Sequence, residues 1–457
     1  MKQDAISPVM RRLSAYIAGA RKTSLPAAVL ERTKHHVLDT IAAMVSGSRL
    51  LPGRKGISYV KALGGTKEAC VIGSRIVTSA ANAALANGMC AHADETDDSH
   101  APSVMHPGCG IVPAALAVAE KEGRNGEALL RAVALGYDVA TRLTMSLNAF
   151  RFREDGLSTH SYGPTFGAAA AAGSIARVNE RQARYLLSYA AQQASGISCW
   201  MRDEEHIEKA FDFGGMPARN GVTAATMVAQ GFSGVEDVFS GERNFFVAHG
   251  RPADPEALVR GLGEDYEILR TNIKRWSVGS PIQAPLDSLS ILIQEHGLEA
   301  EAVEKLTIRV AHRDKNTTDN RDMPDICMQH LCAVMLLDGT VTFKSSHEER
   351  RMRDAKVLEL RRRIELVGDD ALTRTMPARQ GIVEIALRDG RTLRHHTVAV
   401  RGTAENPMTR AEVDAKSYDL IAPAAGKARA RKLCHAVWNL EQLRDVRKLR
   451  PLLMETP

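Results

Sequence analysis

The 457-residue chain carries 60 Lys and Arg against 54 Asp and Glu, a net charge of +6, with 44% hydrophobic and 25% charged residues. That balance is ordinary for a globular protein and excludes disorder, collagen and a disulfide scaffold. A modest positive excess and only 5% aromatic residues leave neither an electrostatic footprint nor a stacking platform for nucleic acid.

From Ser24 to about Gly261 the sequence predicts helices. Val29–Ser46 repeats apolar residues at Val29, Val37, Ile41 and Val45; Thr23 or Ser24 caps its start, Pro26 suits the first turn and Gly47 ends it. Ala-rich runs follow at Ser79–Ala91, Ile111–Glu122, Gly126–Met145, Thr165–Ala176, Glu180–Gly196 and Gly221–Gln230. Alanine at this density lets helix axes approach closely. After Ile268 the period changes. Lys305–Val310 alternates like a half-buried strand, and Gly381–Leu387 and Thr392–Val400 flank the hairpin signal Asp389-Gly390. Helices over Pro285–His296 and Asp325–Asp338 lie between these strands, and a helical pattern returns from Thr409. The predicted fold class is mainly α with α+β: a large helical domain, 1–268, a smaller α+β domain, 269–404, and C-terminal helices, 405–457, that return to the helical domain.

Seven cysteines are scattered with no CxxC pair, so neither a zinc ribbon nor a thioredoxin-type site is expected. Met1–Ala5 has no basic stretch followed by an apolar run, and no apolar stretch reaches about 18 residues. No signal peptide, no membrane span and a cytoplasmic location are the expectations.

Four clusters carry chemistry. The densest is His92-Ala93-Asp94-Glu95-Thr96-Asp97-Asp98-Ser99-His100, followed by His106-Pro107-Gly108. Four acids within five residues repel one another unless cations or protons relieve them. The plain alternative is a solvated acidic loop, but flanking imidazoles that titrate near neutrality favour chemistry. His160 stands in His160-Ser161-Tyr162-Gly163-Pro164-Thr165-Phe166-Gly167, ahead of an Ala-rich helix whose N-terminus favours an anion; its plain alternative is a cap or core residue. Lys209 precedes the turn Phe211-Asp212-Phe213-Gly214-Gly215 and can hold a carboxylate as a point charge, or be an ordinary surface lysine. Lys274-Arg275-Trp276, with Gln283 beyond it, falls where the second domain begins.

The order and spacing of these clusters resemble the MmgE/PrpD family, over nearly the whole chain. The family's first motif, H-x-x-D-x-D-D-T-H, is matched by His92, Asp97, Asp98 and His100, with Glu95 at its first acidic position and Ser99 at its threonine; its histidine before a helix start is matched by His160, its lysine before a glycine turn by Lys209, and its lysine opening the second domain by Lys274. Departures fall at Asp212 and Gln283, where the family usually has histidine, and at His106, one residue beyond the family's loop histidine. The resemblance implies a helical domain made from both chain ends with an α+β lid, homodimerisation, and reactions that form or quench carbanion character beside a carboxylate. It implies His160, Asp98, Glu95, His106, Lys209 and Lys274 as catalytic residues and Ser99, His100, Asp212 and Gln283 as substrate-binding residues.

The first expectation is a metal-free lyase without a cofactor, acting on a small polycarboxylate by acid/base catalysis. Dehydration of a hydroxy-polycarboxylate such as 2-methylcitrate is its leading form, with a cis-aconitate-type decarboxylase or an iminodisuccinate-type epimerase as alternatives. Lys209 and Lys274 pair with substrate carboxylates, His160 is the general acid/base with His106 second, and Asp98 and Glu95 orient an imidazole or act as base. Two remoter readings differ in class. Asp94 and Asp98 have the i, i+4 spacing of a helical metal-dependent synthase, and His92, His100 and His106 allow zinc. A non-catalytic anion-binding homologue is the other.

Overall fold

The computed structural model describes residues 6–249 and 252–455; Met1–Ala5, where no signal peptide is expected, lie outside them. The chain divides into two compact units, Met1–Thr271 with Val413–Pro457, and Asn272–Glu412. The fold is mainly α with an α+β part.

In the first unit the long helices are α1 (Pro8–Gly19), α2 (Ala27–Gly47), α3 (Leu51–Leu63), α4 (Ala80–Ala91), α5 (Gly108–Glu122), α6 (Gly126–Ser146), α7 (Thr159–Ile175), α8 (Glu180–Gln193) and α9 (Met216–Ala229). Side chains set their starts. Ser79 accepts from the Asn82 amide at α4, Asn125 from the Ala128 amide at α6, and Asn179 with Gln182 forms a capping box at α8. A short antiparallel pair, β1 (Ala69–Cys70) and β2 (Val77–Thr78), precedes α4.

Helix α7 is the axis of this unit. Every residue from Thr159 to Ile175 is buried, as expected for a helix apolar on all sides and surrounded by others. Its contacts with α5, α6 and α9 are close because small residues line them. A Cβ on Gly167 would stand 2.4 Å from the Gly136 carbonyl oxygen, so only glycine lets α6 and α7 meet there. Helix α7 begins six residues before the expected Thr165. Pro164 lies inside it, near enough to the N-terminus that its missing amide removes one bond, to the His160 carbonyl, without ending the helix.

The second unit holds a four-stranded sheet of order β4-β3-β5-β6, with β3 (Val303–Val310), β4 (Ile364–Gly368), β5 (Gly381–Leu387) and β6 (Thr392–Thr397). Strands β3 and β4 are parallel; β3–β5 and β5–β6 are antiparallel, the latter joined at Asp389-Gly390. Leu306, Ile308 and Val310 face a core with Leu286 and Leu289 of α10 (Gln283–His296) and Leu331 and Val334 of α11 (Met328–Asp338). Strand β4 has no sequence counterpart above: five residues are too few for alternation to register. Helices α12 (Arg410–Ala425) and α13 (Lys427–Trp438) follow. Among the described residues no helix is long and apolar enough to cross a membrane.

Candidate active site

The acidic loop between α4 and α5 resolves its own repulsion, because each acid has a different partner. Asp94 accepts from the amide and hydroxyl of Thr96, both at 2.9 Å. Glu95 is paired with the Lys209 ammonium. Asp97 Oδ1 accepts from Nδ1 of His92 at 3.0 Å and from Nδ1 of His106 at 2.9 Å. Asp98 accepts from the Gly108 amide at 2.9 Å, from His36 at 2.7 Å and from the Tyr137 hydroxyl at 2.5 Å. The loop is further braced by Lys416 of α12, which donates to the Thr96 carbonyl at 3.0 Å.

Around Asp97 the loop meets α7 and the turn that precedes α9. Phe213 lies in a π-helical turn, Phe211–Gly215, and stacks on His160 with ring centres 3.7 Å apart and on His92 with centres 4.2 Å apart. Such single π turns widen a helix and commonly mark functional positions. The turn comes this close because Gly214 faces Gly88 of α4; a Cβ on Gly214 would meet the Gly88 oxygen at 2.1 Å. His106 stands 5.3 Å from His160 and 5.1 Å from His92, ring centre to ring centre. Trp200 closes on both Phe213 and His160 edge-on, and the Lys209 ammonium lies 5.6 Å over Trp200 and 5.4 Å over Phe213. His206, with a left-handed backbone at φ 61°, packs 5.1 Å from His92.

Electrostatics sort these groups. Burial acts to raise the Asp97 carboxyl, but the charges and hydrogen bonds of His92 and His106 outweigh it and hold it well below the usual carboxylate range. Burial pushes His160 well below its ordinary 6.5, with His106, Arg153, His92 and Lys209 adding to the effect, so its imidazole is neutral at pH 7. His206 is pushed down in the same way, by burial and then by Lys209 and His92. Nδ1 of His160, Nε2 of His92, Nε2 of His206 and Nε1 of Trp200 are buried without hydrogen-bond partners. Buried polar atoms are seldom left so, and these four belong to one cluster. The arrangement offers a cation, an aromatic wall, and imidazoles able to give or take a proton.

The structure therefore brings together Glu95, His106, His160 and Lys209. Asp98 faces elsewhere: fully buried, it accepts from His36, from Tyr137 and from the Gly108 amide, which suits it to orient the His36 imidazole in the helix core. His100 is bonded to Ser103 at 2.7 Å and reaches Glu267 at 3.2 Å, and Ser99 is half-buried beside it. Asp212 accepts from the Ser158 hydroxyl, and burial, supported by the charge of Glu208, lifts its carboxyl to about 7. In the second unit Lys274 is buried, and Gln283 spends its amide on the Trp276 and Val278 backbone at 2.9–3.1 Å.

A model of the MmgE/PrpD N-terminal domain matches residues 11–258, and one of the MmgE/PrpD C-terminal domain matches residues 276–442. The chain belongs to the MmgE/PrpD family. Two cis-aconitate decarboxylases are similar over nearly the whole length. That of Aspergillus terreus is 22% identical over 98% of this chain and 96% of its own. The human one is 23% identical over 98% and 95%. A cis-aconitate decarboxylase-like protein of Aspergillus oryzae is 25% identical over 58% of each chain.

In this MmgE/PrpD chain, five members of the cluster are not among the expected catalytic or substrate-binding residues: His92, expected only as a zinc ligand, Asp97, Trp200, His206 and Phe213. His92 and Asp97 stand in the first motif, where Asp97 is the carboxylate that meets the imidazoles of His92 and His106. Trp200, His206 and Phe213 carry no local signal, since their role comes from packing across distant segments.

Proposed function

We propose that this chain is a lyase that removes CO2 from a small unsaturated polycarboxylate, the activity named for its Aspergillus terreus and human relatives. The observation that carries this reading is Lys209, a cation lying on the Trp200–Phe213 wall beside neutral His160. Lys209 takes one substrate carboxylate in exchange for Glu95. A second carboxylate against the aromatic wall loses hydration, which favours its departure as neutral CO2. As the carbon–carbon bond breaks, its electron pair stays on carbon, conjugated with the double bond and the remaining carboxylate. That charge is stabilised by Lys209. His106 then gives the carbon a proton, because Asp97 behind it stabilises the imidazolium form, and solvent restores the proton. His160 hydrogen-bonds the substrate as a neutral imidazole.

Dehydration of a hydroxy-polycarboxylate is the second reading, and Asp212 favours it: a carboxyl held up to about 7 keeps a proton for a leaving hydroxyl. Homodimerisation belongs to the same family-based reading. Steady-state kinetics test the site. Lys209→Met raises KM by ~10-fold or more, and His160→Ala lowers kcat by ~10²-fold or more. Wild-type turnover in His160→Ala would remove that residue from the chemistry.

A further inference from the structure

We infer that His92, Glu95 and His206 form a binding site for a divalent cation of the zinc class, and that the ion competes with Lys209 for Glu95. One ligand atom from each of the three residues lies within 4.8 Å of the other two. Nε2 of His92 and Nε2 of His206 are both buried and lack hydrogen-bond partners, which leaves each of these two residues a ring nitrogen that an ion would satisfy. His92 already donates its other ring nitrogen to Asp97 at 3.0 Å. That is the carboxylate–histidine arrangement which orients a metal-binding imidazole and leaves Nε2 as the ligand. Two imidazole nitrogens and one carboxylate oxygen are a donor set suited to zinc, with a fourth position for water or a substrate carboxylate. The neighbouring set His92–Asp97–His106 is different, because its facing atoms are already joined by hydrogen bonds at 3.0 and 2.9 Å.

The occupant that the ion displaces is Lys209. Lys209 is paired with Glu95, and an ammonium and a dication cannot both sit against one carboxylate without strong repulsion. Binding of the ion therefore frees Lys209 from Glu95 and puts two positive charges where the wall now carries one. If the decarboxylase reading holds, the ion leaves Lys209 without its internal competitor for the substrate carboxylate. Binding itself does not depend on that reading.

The test uses the full chain, stripped with EDTA and dialysed against zinc chloride near neutral pH, with bound metal quantified and the cobalt form examined for the visible bands of a four-coordinate site. The expected result is one ion per chain, weakened ~10-fold or more in both His206→Gln and His92→Gln, unchanged in the exposed-histidine control His435→Gln, and tightened in Lys209→Met. The gain in Lys209→Met cannot come from misfolding. No retained zinc, or retention indifferent to both histidine substitutions, would overturn the site; unchanged affinity in Lys209→Met would overturn the competition. Each readout is binding, so none is moved by the identity of the substrate.

Discussion

Adjacent carboxylates divide the acidic loop: Asp97 faces His92 and His106, while Asp98 turns into the helices against His36 and Tyr137. Removing each charge therefore has a different consequence. Asp97→Asn leaves the fold nearly intact and lowers kcat by ~10²-fold, because the imidazoles lose the group that orients them and supports their cationic form. Asp98→Asn leaves His36 and Tyr137 facing an amide and costs about 2–4 kcal/mol in urea unfolding. Equal losses of kcat and stability in the two variants would contradict this division. Nothing in a loop sequence says which of two neighbouring acids points where, which is why Asp97 was not legible. Asp212 gives a pH signature. Its carboxyl is near 7 when folded against an ordinary 3.8, so between those values the native state holds a proton that the unfolded chain has released. Stability from this group is present below about pH 4 and is lost as pH rises towards 7, by about 2–4 kcal/mol. Asp212→Asn lacks that slope, and the wild-type-minus-variant difference in unfolding free energy across pH 4–8 measures it. A flat difference would contradict a protonated Asp212.

At the scale of elements, the site exists because α4, α7 and the turn before α9 approach through glycine. Gly214→Ala places a methyl against the Gly88 carbonyl, forcing the turn outward and carrying Phe213 from His92 and His160. The expected cost is about 1–3 kcal/mol or more, seen as a lower unfolding midpoint, together with a fall in activity. A variant as active and stable as wild type would mean that the turn is not held by this contact. The helices themselves were legible, since their Ala-rich spacing is local; the cap expected at Thr23 or Ser24 is not formed, because α2 starts at Ala27 behind Pro26 with no side-chain cap and includes Gly47. The start of α7 was not, because Gly163 and Pro164 read as loop formers while burial on every side keeps them helical. The Lys209–Glu95 pair joins residues 114 apart in sequence, beyond any spacing rule.

At the scale of the molecule, the first unit is built from both ends of the chain, Met1–Thr271 and Val413–Pro457. Lys416, from the second of these segments, is buried and bonds Asp39 of α2 at 2.5 Å as well as the Thr96 carbonyl. Lys416→Met strands Asp39 without its cation and is expected to cost about 3–5 kcal/mol; adding Asp39→Asn recovers part of the loss. Additive losses in thermal unfolding would contradict the pairing. The central claim is chemical, and proton NMR in D2O with cis-aconitate as substrate tests it most directly. The account predicts loss of one carboxylate as CO2 and entry of one solvent deuteron at the product carbon, with both slowed ~10²-fold or more in His160→Ala. A wild-type protein that leaves cis-aconitate unchanged while turning the methyl doublet of 2-methylcitrate into the singlet of a methyl on a double bond would contradict decarboxylation and select the dehydratase reading.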